Sequence, residues 1–148
     1  MRNKWSGYNN VGVCATALMS VLGHMKQLTL PKTLLVMPLV MHDATVGFLS
    51  NGNIRKREAA ALVAMRPDLF VNFPTRFDDS LAVTLNAIQL LVTTGFARFE
   101  DGLALLQPLE VDSTFGKRAQ RIAKASENIA ALLASPVDEL FLNFRVQL

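Results

Sequence analysis

Apolar residues recur at spacings of three and four along much of the chain, which is the signature of helices with one buried face. Val11, Cys14, Ala15, Leu18, Val21, Leu22, Met25 and Leu28 form one such stripe, with Asn9 or Asn10 available to cap its start. Thr33 to Met41 is apolar on all sides and predicts a short buried helix that ends or kinks at Pro38, because proline lacks the amide hydrogen a helix interior needs. Asn51-Gly52-Asn53 reads as a turn, with Asn53 capping a helix over Arg55 to Met65 that stops at Arg66-Pro67. Asp68 to Phe73 predicts one or two helical turns before Pro74. Asp78 and Asp79 then open a long helix with Leu81, Leu85, Ile88, Leu91 and Val92 as its inner stripe and Gly95 just past its end.

The period changes after Gly95. Phe96 to Glu100 and Leu103 to Gln107 flank Asp101-Gly102, a two-residue hairpin signal. A helix followed directly by a hairpin is the local outline of a winged-helix module. A last long helix is expected from about Lys117 to Ala134, broken by Ser135-Pro136, and Val137 to Leu148 reads as a short helix with a strand-like tail. The fold class expected is mainly α, a small helical domain with one winged-helix-like β-hairpin, and residues 1–148 are read as a single domain.

Composition sharpens this only in part. Apolar residues make up 51% of the chain and charged residues 18%, against about 25% charged in an ordinary soluble domain. Either the core is large and the surface neutral, or a partner covers part of the apolar surface. The formal charge of +3 is a weak basic excess, far from a nucleic-acid-binding tail. The single cysteine, Cys14, excludes an internal disulfide framework and suits a reducing compartment, so a cytoplasmic, soluble protein is expected. Arg2 and Lys4 ahead of Val11 to Gly23 resemble a signal peptide only superficially, since a polar-aromatic spacer intervenes and no small-x-small site follows.

Candidate chemistry is sparse. His24 and His42 have no metal-ligating neighbour at ligand spacing, Cys14 sits on an apolar stripe, and Asp78 and Asp79 project about 100° apart on a helix. No phosphate-cradling glycine loop is present. The expectation is therefore no enzyme, no catalytic or metal site, no cofactor and no small-molecule substrate. Two features remain. Lys117, Arg121 and Lys124 share one helix face with Arg118 beside them, and Arg55, Lys56 and Arg57 form a second basic spot. Cations in a first helical turn oppose the helix dipole, so both are candidates for binding an anionic surface, and a plain solvated face is the alternative. The other feature is the apolar end, Phe141, Leu142, Phe144, Val146 and Leu148, which is tucked either into the chain's own core or into a partner.

The order of segments resembles a known family, the middle component of bacterial three-component ABC systems, defence operons of the Lamassu type. The residues that carry the resemblance begin with Asn9-Asn10 ahead of an apolar helix, then Leu30-Pro31 and the run from Leu34 to His42. Arg66 to Phe70 follows, where the family tends to have Asn-Pro, with Arg76 shortly before the long helix. The hairpin, the helix from Lys117 and the ending Phe141 to Arg145 complete it. Relatives often end in Leu-Gly-Val-Arg-Pro, whereas here Asn143 and Phe144 replace the glycine and aliphatic. The resemblance implies a non-catalytic antiphage subunit that binds an SMC- or Rad50-like ATPase and helps restrain an effector, often a nuclease, with DNA within reach of the complex and no membrane partner. The other reading is a winged-helix DNA-binding regulator acting through backbone contacts, because the helix ahead of the hairpin offers only Asn86 and Gln89 to base edges.

Overall fold

A computed structural model describes residues 7–52, 54 and 57–148, with side chains from residue 10 onward. Eight α-helices are described. They are α1 (Gly7–Leu22), α2 (Leu30–Thr33), α3 (Val36–Val40), α4 (Asp43–Leu49), α5 (Ala59–Met65), α6 (Phe73–Thr93), α7 (Lys117–Leu133) and α8 (Val137–Phe144). Between α6 and α7 runs a hairpin of β1 (Ala97–Phe99) and β2 (Leu103–Leu105). The chain is thus mostly helical with one antiparallel hairpin, consistent with a winged-helix-like arrangement. Helix α1 packs between α6 and α7, α3 lies on α6 and α1, α4 on α7, and α5 on α8. The buried side chains form one cluster running through all of these.

Several boundaries differ from the sequence reading. Helix α1 starts at Gly7, so Asn9 and Asn10 lie in its first turns instead of ahead of it, and it ends at Leu22. Met25 and Leu28 are therefore not on its stripe. Leu28 pairs instead with Leu103 of β2, donating to its carbonyl at 2.9 Å and accepting from its amide at 2.7 Å. That isolated bridge anchors the chain to the hairpin after it leaves α1.

Proline begins helices here more often than it ends them. Thr33 to Met41 divides into the end of α2 and all of α3, and Pro38 sits in the first turn of α3. Pro74 occupies the first turn of α6, so that helix starts at Phe73 and Asp78 and Asp79 fall inside it. First-turn amides have no intrahelical acceptor, so proline sacrifices nothing there. The helix predicted from Arg55 begins only at Ala59. Asn53, Arg55 and Lys56, with the predicted cap and most of that basic spot, lie outside the described residues. Arg57 lies just ahead of the Glu58 cap of α5, outside its first turn.

The inner face of α6 is turned from the stripe read off the sequence. Phe73, Phe77, Ser80, Thr84, Ala87 and Leu91 are buried, a regular three-four pattern. Leu85 and Val92 are 51% and 39% exposed, and Leu81 and Ile88 are half-buried. The small residues Ser80, Thr84 and Ala87 lie on the side facing the core, where Cys14 of α1 donates to Thr84 Oγ1 at 3.8 Å. Of the bulkier aliphatics that dominate the sequence pattern, Leu91 is buried, Leu81 and Ile88 pack against the edge of the core, and Leu85 and Val92 face solvent.

Helix α6 ends in a glycine cap. Gly95 has φ +82°, its amide donates to Val92, and the Phe96 amide donates to Leu91. The hairpin pairs Phe99 with Leu103, so its loop holds three residues, Glu100 to Gly102, and not the two expected. Gly102 is required by proximity: a Cβ there would lie 2.7 Å from the Leu28 carbonyl oxygen.

The end of the chain forms α8 and then runs to Leu148 without a strand. Arg145 closes α8 in the left-handed region, φ 59° and ψ 41°, with its amide donating to Leu142 and that of Val146 to Phe141. A non-glycine residue there bears a cost of about 1–2 kcal/mol. Arg145→Gly is expected to raise the unfolding free energy by up to about 1 kcal/mol, the gain in the folded state being offset by glycine's freer unfolded chain. Urea denaturation of the two proteins checks this, and a destabilised glycine variant would contradict it.

Candidate partner-binding surface

The groups with reactive potential are committed to packing. Cys14 is fully buried, and burial pushes its thiol up to about 12 despite the hydrogen bond to Thr84. A thiol held protonated in this way is a poor nucleophile. His24 Nε2 lies 3.1 Å from Ser126 Oγ, whose hydroxyl donates to Ala123 at 2.6 Å, so the imidazole is the donor in that pair. His42 Nδ1 meets Thr45 Oγ1 at 2.7 Å where α4 begins. Burial, then the Arg76 charge, holds the His42 imidazole below its usual range. Among the described residues no three of His, Cys, Asp and Glu come together as a metal site would need.

The basic residues divide by their surroundings. Lys117 and Lys124 are exposed on α7. Arg121 is half exposed and leans on α4, with Nη2 donating to the Asp43 carbonyl at 3.3 Å and Nη1 3.9 Å from its carboxylate. Arg118 is half-buried, and burial lowers its tendency to hold the proton. Arg57 reaches across to α7 and donates to Asn128 Oδ1 at 3.1 Å. It also lines an open cleft of about 530 Å³ with His24, Lys26, Glu127 and the Ala130–Ala131–Ala134 face of α7.

Two polar residues that the sequence reading did not assign a role hold this half of the molecule together. The buried Asn128 amide donates to Leu49 O at 2.8 Å and Asn51 O at 3.1 Å while accepting from Arg57, joining α4, the following turn and α7. Arg76 donates to Pro38 O at 2.9 Å and Leu69 O at 3.0 Å and lies over the Phe73 ring. Both serve backbone carbonyls distant in sequence, a role that no local spacing announces.

The apolar end of the chain splits between inside and outside. Phe144 is buried, stacked on Phe70 with centroids 5.1 Å apart and tilted against Phe73 at 4.7 Å. Phe141 sits edge-on to Phe77, and Val146 is buried. Leu142 and Leu148 are 78% and 76% exposed. Other exposed apolar side chains are Met65 and Val71 near α8, and Leu85, Leu90, Val92, Phe96, Phe99 and Leu106 along α6 and the hairpin. Among the described residues no single helix is long and apolar enough to cross a membrane.

A family model described as "ABC-three component (ABC-3C) system Middle Component 3" matches residues 8–148. No curated protein and no solved structure matches the chain.

Proposed function

This chain belongs to the middle component 3 family of ABC three-component systems, and we propose that within such a system it is a non-catalytic scaffold linking an SMC- or Rad50-like ATPase to an effector nuclease. In this reading it works in the cytoplasm, holds the effector in check, and takes part in defence against phage or plasmid DNA. The observation that carries the reading is the family match over nearly the whole chain, since a middle component is by its name one part of a larger assembly. The side chains support it: Cys14, His24 and His42 are each engaged with a neighbouring hydroxyl, while apolar groups such as Leu85, Leu106 and Leu142 face outward. Apolar surface of this kind is what a subunit interface uses.

Co-expression with the neighbouring components tests the proposal. The chain is expected to co-elute with the ATPase, and Cys14→Ser and His42→Ala variants that fold and assemble are expected to keep full defence activity. A folded, assembling His42→Ala protein that loses a reaction would overturn the non-catalytic reading.

Contact with an anionic surface is a second reading, favoured by the exposure of Lys117 and Lys124 with Arg121 on the same face. If the surface is duplex backbone, log affinity falls linearly with log salt by about 0.9 per phosphate engaged. Replacing Lys117, Arg121 and Lys124 by glutamine is expected to flatten that slope and leave base preference unchanged, because phosphate contacts position without specifying. An acidic protein surface would instead show as weakened assembly at constant DNA affinity. A triple variant that binds and protects like the wild type would return this face to solvent.

A further inference from the structure

Arg57 is held in place by a side chain that is itself held. Its Nη1 donates to Asn128 Oδ1 at 3.1 Å, and the Asn128 amide nitrogen is fixed in turn by donating to the Leu49 and Asn51 carbonyls. That bond engages one of the five N–H groups of the guanidinium. Arg57 is half-buried and lines the open cleft against α7, and Lys26, from the turn after α1, is exposed on the same cleft. Glu127 is the one carboxylate of the lining. Neither Arg57 nor Lys26 has an ion pair with it, or with any other acid, among the described residues. The remaining N–H groups of a guanidinium can take both oxygens of a carboxylate at once, and holding the head group beforehand lowers the cost of doing so. The fold has set an anion site and left it without an anion.

The counter-charge does not come from the rest of this chain. Residues 1–6, 53, 55 and 56 lie outside the description, and they contain no aspartate or glutamate; Arg2, Lys4, Arg55 and Lys56 only add positive charge. A second copy carries the same formal charge of +3, so two copies repel overall where an acidic partner is drawn in. Nucleic acid fits poorly. A duplex is too wide to enter a cleft of about 530 Å³, and a single strand stacks its bases on aromatic rings, whereas the lining has no Phe, Tyr or Trp. Glu127 would also repel phosphate. A polypeptide suits the cleft better, because Ala130, Ala131 and Ala134 of α7 border it with short side chains that let another backbone come close. We infer that this cleft receives an acidic segment of another protein, with a carboxylate on Arg57, a second acidic group near Lys26 and small apolar side chains against the alanines. The identification of that protein as another component of the same system rests on the function proposed above; the cleft and the chemistry of its occupant do not.

Gln27 is exposed on the cleft, and a photo-reactive amino acid in its place, in cells making the intact three-component system, tests this. Crosslinked peptides are identified by mass spectrometry. The expected product joins position 27 to a segment of another component that has an aspartate, a glutamate or its own carboxyl end within a few residues. Arg57→Ala is expected to keep the wild-type circular dichroism spectrum and to weaken assembly at least about tenfold. Arg57→Glu is expected to weaken it further, and a charge reversal at the partner's acidic residue to restore it. Ala134→Glu leaves the bond between Arg57 and Asn128 intact and sets a rival carboxylate in the cleft, so a matching loss of assembly from this exposed position separates the anion site from the structural anchor. A crosslink to a second copy, to nucleic acid or to a segment without an acidic group would overturn the inference. So would no crosslink from position 27, or a folded Arg57→Ala or Ala134→Glu chain that assembles with wild-type affinity. If the wild-type chain binds no other component of the system, the scaffold function fails. The inference then stands only if position 27 crosslinks to an acidic segment of another identified protein.

Discussion

Phe144→Ala is expected to lower the unfolding free energy by about 3–5 kcal/mol, the range for removing a fully buried aromatic ring from a packed core. The ring is 1% exposed and shares faces with Phe70 and Phe73, so its loss leaves a hole bounded by two stiff rings that cannot easily close over it. Leu142→Ala, two residues earlier, removes a side chain that is 78% exposed and should change stability by less than about 0.5 kcal/mol. Chemical denaturation of the two variants measures the contrast. Equal effects would mean that α8 is not docked through its Phe144 face. Removal of residues 141–148 should for the same reason reduce helicity and assembly together, which makes truncation a poor probe of an interface in this chain.

Asn128→Leu is expected to cost about 2–3 kcal/mol, although leucine is similar in size and more apolar. The Leu49 carbonyl loses a buried donor, which alone is worth about 1–3 kcal/mol, and the turn at Asn51 and the Arg57 side chain lose the same anchor. Arg57→Ala removes only the outermost of those bonds, and water can replace it, so it should cost no more than about 1 kcal/mol. Thermal or urea unfolding orders the pair. An Arg57→Ala variant less stable than Asn128→Leu would place the anchor in the wrong residue.

The elements that were legible in the sequence are those fixed by local chemistry. Gly95 marked the end of α6 because the cap needs positive φ, and Ser135-Pro136 marked the end of α7 because proline cannot continue a helix. The hairpin was located correctly but placed in the wrong register, because Asp101-Gly102 was taken as a turn signal when Gly102 answers to the approach of Leu28. The start and orientation of α6 were hidden for two reasons. Pro74 reads equally as a stop or a first turn, and Ser80, Thr84 and Ala87 are too small to register as a core face. The sequence separated two apolar directions on that helix no better than composition could, and only the position of α1 decides between them. Among the candidate site residues, Phe141, Phe144 and Val146 turned inward, and Leu142 and Leu148 outward, along a helix too short for its periodicity to be read with certainty of phase.

The hydrogen bonds that join Cys14 to Thr84, Asn128 to Leu49 and His24 to Ser126 span 70, 79 and 102 residues. Helices α2 to α5 have only four to seven residues each, too few to hold together in water before their neighbours arrive. The order of assembly is therefore set by distant encounters and not by local coiling: α1 has to find α6 and α7 before the short helices between them gain a surface to lie on. Closing such long loops costs entropy before any contact repays it, so this helical chain should fold on the slower schedule usual for sheet proteins. In a growing chain, the apolar run of α3 waits uncovered until α6 has been synthesised, α4 waits for α7, and α5 for α8.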